Sequence, residues 1–380
     1  MSTETELHEA LDHRYPIILL GADIEVNEVI LVHYDCTITS LSEARLYRSP
    51  DYTSVLLSLE MFEDEDPISM TLDGIVVDGM KIQAQEPALF VGENTTLHLR
   101  NTTIRDNYND GTGSEDGGGI CNRGTLNLYE GTSITGNRAV RGGGVMNPEP
   151  HGEKIYDDSH PLHLHDIYVP YWNVFNMYGG EITCNEASFS QANSSEGAGG
   201  GVFVETASYQ THYNPAHYRV FIYAVFNLFG GKISNNSTEA DGHGGGVSLG
   251  WGYQAVTDEN WLGEIHICFT MEGGEISNNY AGGSGGGVWT SHSAFVMEGG
   301  AITRNFAEDS GGGIAGGIYA AEAKVFKMTG GEISLNAARE GGGIGPTISG
   351  FFLAGTICDN LAYERADDFE IRTLHLTLMN

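Results

Sequence analysis

Phe269-Thr270-Met271-Glu272-Gly273-Gly274-Glu275-Ile276-Ser277-Asn278-Asn279, followed closely by Gly285-Gly286-Gly287-Val288, is the stretch that decides the architecture. Phe269, Met271 and Ile276 are interleaved with polar residues, the period of two that marks strands with one buried face. Gly273-Gly274 turns the chain between them, because only glycine reaches positive φ without steric cost. The closing Gly-Gly-Gly-Val supplies a second turn and a third short strand. The phrase recurs at 175–185, 226–236, 295–305 and 326–336, and more loosely at 126–137 and 351–360. Three short strands and two turns per repeat describe one coil of a solenoid. A β-propeller blade would need four antiparallel strands joined by hairpin turns, a pattern this sequence lacks. The expectation is an all-β fold: a single-stranded right-handed parallel β-helix, three short strands per coil.

An asparagine closes each phrase. Asn107, Asn137, Asn185, Asn236, Asn279, Asn305, Asn336 and Asn360 hold the same place in successive repeats. Stacked one coil apart, at about 4.8 Å, their amides can hydrogen-bond along the column and satisfy turn backbone. They are expected to form a structural ladder. Repeat length varies, so insertions must leave the coil at a tolerated place.

The Gly-Gly-x-Ile-Ser/Thr-x-Asn phrases resemble the right-handed β-helix repeats of bacterial cell-surface and adhesin-like proteins. They are also similar to the Gly-Gly-Ala-Ile and Phe-x-x-Asn repeats of polymorphic outer-membrane proteins. The resemblance covers roughly residues 90–365 and implies the coil and a surface role. The wider pectin-lyase-like superfamily shares the coil, but its calcium-binding Asp and catalytic Arg arrangement has no counterpart here.

Continuous repetition across 380 residues and 53 glycines argues for one elongated domain. With 51 acidic against 18 basic residues the formal charge is -33. That excludes nucleic acid and anionic membrane as partners, since phosphate contacts need Lys and Arg. It suits a secreted or cell-surface protein kept soluble by self-repulsion, and allows opportunistic calcium binding without any dedicated cofactor. Cys36, Cys121, Cys184, Cys268 and Cys358 are scattered without a CxxC and read as buried thiols. No apolar run is long enough to span a membrane. Met1 is followed by a polar, acidic stretch instead of an export leader. Oligomeric state is not set by the sequence.

Along the chain, Thr3-x-x-Glu6 reads as a capping box opening a helix near 4–13, placed to cover the first coil. Strands are expected at 17–20, 24–26, 29–32 and 37–39. Irregular first coils fill 17–106, least regular over 40–105, with strands at 70–72, 75–77 and 97–99 and a solvated acidic loop at 63–66. Regular coils run over 107–365, with insertions at 147–174, 204–225 and 249–268. These three leave after Val145, Val202 and Val247 and return at Phe175, Phe226 and Phe269, so they share one edge and should form a lobe there. Long strands are expected at 167–177, 218–228 and 264–271. Residues 366–380, with Phe369, Ile371, Leu374, Leu376 and Leu378, read as a closing cap.

Counting three positions before the inward Phe gives Trp172, Tyr223, His266 and His292; three positions after it gives Tyr178, Phe229, Glu272 and Glu298. All should point outward, and Trp172, Tyr223, Tyr178 and Phe229 would make an aromatic patch with His266 and His292 beside it. Aromatic rings one coil apart can bind sugar rings or a protein. The alternative is that the insertions fold back over them as a secondary core.

The first insertion carries Asp157, Asp158, His160, His163, His165 and Asp166. His163, His165 and Asp166 could bind a transition metal, or could simply hydrogen-bond within the loop. Polysaccharide cleavage needs paired carboxylates, and Asp157, Asp158, Asp166, Glu205, Asp258, Glu259 and Glu264 lie in or beside the lobe. Glu181, Glu275 and Glu332 repeat after the Gly-Gly turn, interrupted by Lys232 and Ala301, and read as solvated turns. The glycine triplets lack the Lys-Ser/Thr of a phosphate loop. The favoured function is a non-catalytic adhesin-like protein binding glycan or protein. A polysaccharide lyase or glycosidase and a purely structural stalk are the alternatives.

Overall fold

The computed structural model describes residues 1–62, 66–113, 116–148, 153–155, 167–169, 173–188, 198–210, 219–251, 267–290, 294–316, 325–345 and 349–365. Its strands stack in parallel, one coil above the next, as an all-β parallel β-helix. Four strand positions recur around the coil. The first holds strands such as Asn173–Met177, Ile267–Met271 and Val325–Met328, here called the Phe sheet. The second is an 11-stranded Ile sheet that includes Glu181–Thr183, Lys232–Ser234 and Glu275–Ser277. The third, a 9-stranded short sheet, begins with Gln83–Ala84. The fourth, the Val sheet, includes Val202–Gln210, Val247–Trp251 and Val288–Thr290. Three strands per coil, as the repeat implies, make up the first two coils. Later coils add the short strand because the backbone just past the ladder asparagine also pairs, as in Glu186↔Ser237 and Ser237↔Tyr280.

Register is set by the aromatic position. Phe175, Phe226, Phe269, Phe295 and Phe326 align strand to strand. Their fully buried rings stack inside the coil at centroid separations of 4.7, 4.8, 4.5 and 5.1 Å. Burying each ring is worth about 1.5–3 kcal/mol. The final repeat departs from the sequence reading. Gly350 aligns with Phe326 and Phe352 with Met328, so Phe352, not Phe351, takes an inward place in the register, and its ring meets Phe326 edge-on.

The glycine triplet has a separate cause at each position. Gly244 sits at φ 74°, where a side chain strains the backbone. A Cβ on Gly245 would lie 2.4 Å from the Tyr280 carbonyl oxygen. One on Gly246 would lie 2.7 Å from the Gly287 oxygen and 2.9 Å from the Asn279 amide nitrogen.

All eight ladder asparagines stack. Each Oδ1 from Asn137 to Asn360 accepts from the backbone N–H of the asparagine one coil earlier. From Asn137 to Asn336 the Nδ2 also donates onward to the next Oδ1 and back to the Ile carbonyl of the preceding coil. The residue before each asparagine is left-handed: Asp106, Gly136, Cys184, Asn235, Asn278, Arg304, Leu335 and Asp359 lie between φ 54° and 66°. This turn conformation aims the asparagine inward. The sequence hides it, since the position tolerates Cys, Arg and Leu.

The ladder starts at a buried cation. Arg48, 1% exposed, donates Nη2 to Asn107 Oδ1 at 2.6 Å and Nη1 to the carbonyls of Tyr52 and Ser54. Burial lowers its pKa to about 10, which leaves it charged at neutral pH. It reaches Asn107 across the coil that carries Gly79, where a Cβ would fall 2.4 Å from the Asn107 Cα.

The helix Glu4–Asp12 packs Leu7, Ala10 and Leu11 onto the first coil, as the capping box implies. Thr3 Oγ1 accepts from the Glu6 N–H at 3.2 Å, while the Glu6 carboxylate takes the Ser2 N–H at 2.7 Å instead of that of Thr3. The expected early strands appear as Ile17–Leu20, Ile24–Val26, Ile30–Val32 and Cys36–Ser40, then Ile68–Asp73, Val76–Asp78 and Thr95–Arg100. The insertions leave between a Val strand and the next Phe strand, on one edge. Of the expected strand 167–177, residues 170–172 lie outside the described residues. Ile167–Val169 pairs antiparallel with Glu153–Ile155, and Asn173–Met177 belongs to the coil. Arg219–Leu228 is continuous, with Arg219–Tyr223 antiparallel to Thr206–Gln210 before it joins the coil. Residues 63–65 and 366–380, including the expected closing cap, lie outside the described residues.

The cysteines need one correction. Cys36, Cys121 and Cys268 are buried, but Cys184 is exposed and Cys358 half-exposed. Cys184 occupies the left-handed turn position, which faces away from the core. Burial, with Asp35 adding to it, pushes the Cys36 thiol up to about 12.

Candidate recognition surface

Because the Phe sheet buries every second residue, the residues between form its outer face. Tyr129, Tyr178, Phe229, Glu272 and Glu298 follow Arg100 at equivalent places on successive coils. Their backbone N–H groups bond to the carbonyls of Leu99, Leu128, Met177, Leu228 and Met271 in turn. Tyr129 and Tyr178 stack at 5.3 Å with 16° between planes, and Tyr178 and Phe229 at 5.0 Å with 6°. The Arg100 guanidinium closes the stack, 3.8 Å from the Tyr129 ring centroid. Tyr178 is 47% exposed and Phe229 37%, so the file stands proud of the sheet.

A second row runs beside it. Asn227 donates to Asn176 Oδ1 at 2.9 Å, and Asn176 to Asn127 Oδ1 at 3.0 Å. Asn127 Nδ2 lies 3.4 Å from His98 Nδ1, and the Tyr129 hydroxyl 3.3 Å from the same nitrogen. Burial, and secondarily Arg100, lowers the His98 pKa, so the ring is neutral at pH 7 and can accept at Nδ1. Asn127 is 6% exposed, but Asn176 and Asn227 are half-exposed and keep hydrogen-bonding capacity for a ligand, unlike the inner ladder.

Of the sequence-derived site residues, Tyr178 and Phe229 are exposed and adjacent, as expected. Their geometry narrows what they can bind. Ring centroids 5.0 Å apart leave no room for another ring to enter between them, so a ligand meets the outward rim of the file. Tyr223 lies in the antiparallel arm, opposite Thr206. Trp172, His266 and His292 lie outside the described residues, as do His163, His165 and Asp166. So do Asp157, Asp158, Asp258, Glu259 and Glu264. Glu205 is described and is bound to Arg141, whose Nη1 lies 3.3 Å from Glu205 Oε1 while Nη2 lies 2.6 Å from Asp116 Oδ2. Glu205 is therefore part of a charge cluster over the Val sheet, not a free acid in a groove. In the interrupted Glu column Glu275 is paired, with Lys232 Nζ 3.5 Å from its Oε1.

The sequence reading missed Arg100, His98 and Tyr129, and the outer asparagine row. That row has a legible signal, since Leu126-Asn127-Leu128, Phe175-Asn176-Met177 and Phe226-Asn227-Leu228 repeat asparagine between two inward residues. Among the described residues no group of three or more His, Cys, Asp or Glu side chains converges as a metal site. No described helix is long and apolar enough to cross a membrane. No family model matches the chain, and neither the search of curated proteins nor that of solved structures returns a match.

Proposed function

We propose that this protein is a non-catalytic binding protein of adhesin type, acting outside the cell or on its surface. It meets a glycan or protein ligand across the outer face of the Phe sheet. The observation that carries this reading is the exposed pair Tyr178 and Phe229, continued by half-buried Tyr129, lying beside the half-exposed amides of Asn176 and Asn227. Apolar rim and amides repeat together once per coil, at about 4.8 Å, so a ligand with a regular repeat can meet several coils at once. Exposed aromatic area of this kind marks a contact surface, and amides beside it fix the orientation of a polar ligand.

The right-handed coil and the kinship with pectin-lyase-like and adhesin-like repeats belong to the same proposal, resting on the Gly-Gly-x-Ile-Ser/Thr-x-Asn phrase. The test is a glycan array and a protein-ligand screen on wild type and on Tyr178→Ser/Phe229→Ser, with reducing-sugar and unsaturated-uronate assays alongside. Both substitutions lie on the surface, so circular dichroism and the urea midpoint should be nearly unchanged. Binding that disappears in the double variant supports the proposal. Release of product from any polysaccharide, or binding that survives the double variant, refutes it.

A further inference from the structure

The outer file of the Phe sheet has a direction. From the N-terminal side it reads cation, ring, ring, ring, anion, anion: Arg100, Tyr129, Tyr178, Phe229, Glu272, Glu298. Arg100, Glu272 and Glu298 are exposed, and none of them forms an ion pair among the described residues. We propose that this face binds a second copy of the same chain, antiparallel, so that attachment through it is homophilic. The inference rests on the reading of this face as the recognition surface and names its partner.

The geometry follows from symmetry. A two-fold axis lying parallel to the strands, in the interface between the Tyr178 and Phe229 coils, turns one sheet to face another and reverses the order of coils. Each column then meets its own reversed copy. Arg100 comes opposite Glu298 of the second copy, Tyr129 opposite Glu272, and Tyr178 opposite Phe229. In the amide row, Asn127 comes opposite Thr270 and Asn176 opposite Asn227. Every charged position faces an opposite charge or a hydroxyl donor, and the rings meet at the centre. This is the isologous pattern of a self-complementary interface, with aromatics and Arg in the roles they favour there. A parallel pairing has no such match, because it sets the acidic coils against each other.

The size of the patch sets the strength. Six coils at about 4.8 Å and a strand width of about 13 Å give roughly 400 Å² per copy, or ~800 Å² in all. That is the range of weak, transient contacts, and a charge of -33 on each copy adds repulsion that is screened beyond about 8 Å at physiological salt. Dimerisation should therefore appear only at high micromolar concentration in solution. It becomes effective where many copies are presented on one surface.

The test is sedimentation equilibrium of the full chain in physiological salt, from low micromolar to near-millimolar concentration. Wild type should shift from monomer to dimer across that range. Arg100→Glu should weaken the dimer about tenfold or more, as expected for an opposed charge pair turned repulsive. Arg100→Glu combined with Glu298→Arg should restore it, a result specific to the antiparallel register. A chain that stays monomeric throughout, a dimer indifferent to Arg100→Glu, or a failed rescue overturns the inference. Those failures leave ligand binding by Tyr178 and Phe229 standing, whereas binding that survives the Tyr178→Ser/Phe229→Ser double variant in the screen above would count against the broader reading.

Discussion

Asn236 gives both its backbone N–H and its side-chain Nδ2 to Asn279 Oδ1, each at 3.0 Å. Asn279 repeats the gesture toward Asn305 and sends its Nδ2 back to the Ile233 carbonyl. Each ladder amide from Asn137 to Asn336 therefore ties its coil to the coils on both sides, in a site shut off from water.

Removing one rung should be costly inside and cheap outside. Asn279→Ala leaves the Asn236 N–H and one Nδ2 hydrogen without their acceptor and the Ile233 oxygen without this donor, while Asn305 Oδ1 keeps only the backbone N–H of residue 279. At about 1–3 kcal/mol for each buried group left unsatisfied, with relaxation recovering part, the loss should be about 3–5 kcal/mol. Asn227→Ala on the outer row, where water replaces the lost bonds, should cost less than about 1 kcal/mol. Urea unfolding of the two variants measures the contrast, and equal losses would contradict the assignment of the ladders.

Arg48 should behave as the ladder's first rung, not as a surface cation. Arg48→Met removes the donor to Asn107 Oδ1 and to the Tyr52 and Ser54 carbonyls while keeping much of the stem. The expected destabilisation is about 3 kcal/mol, the scale of buried acceptors stripped of their donor. Arg45→Met, a half-exposed position paired with Asp23, should cost no more than about 1 kcal/mol.

The left-handed turn offers a gain in stability. Leu335 sits at φ 58° and is 47% exposed, so it bears the strain with little burial in return. Asn occupies the equivalent turns at Asn235 and Asn278. Leu335→Asn should raise stability by about 0.5–1 kcal/mol, visible as a higher urea midpoint.

His243 should impose a pH dependence. Its ring stacks on Trp289 at 5.0 Å, and its Nδ1 accepts from the Ser284 N–H at 2.9 Å. Burial lowers its pKa, although Asp309 and Asp241 pull the other way. Because the folded value lies below the unfolded value of about 6.5, His243 contributes stability above that pH and loses it as pH falls through the folded value. The stability difference between wild type and His243→Gln should therefore be larger at pH 7.5 than at pH 5. Taking the difference cancels the carboxylates, which titrate in both proteins, and a pH-independent difference would exclude the role.

Much of the coil was legible because its signals are local and repeated. Phe175, Phe226, Phe269, Phe295 and Phe326 had to align once each phrase made one turn, and the eight asparagines followed. The site was legible only in part. Tyr178 and Phe229 could be placed outward by counting from an inward neighbour, since strands alternate strictly. Arg100 and Tyr129 were missed because their repeats are loose and their significance comes from stacking on a ring in another coil. Glu205 looked like any other carboxylate until Arg141, 64 residues away in sequence, closed on it.

By itself, then, the sequence determined the coil, its period, its inward file of rings and its asparagine ladder. Each follows from alternation and turn chemistry, which act between residues close along the chain. Only the tertiary structure decided that the outer rings stack rim-outward under Arg100, and that Arg48 supplies the ladder's first donor. It also decided that the residue before each asparagine is left-handed whatever its type. These are relations between coils, where distance in space is one strand spacing and distance in sequence is set by insertions of arbitrary length.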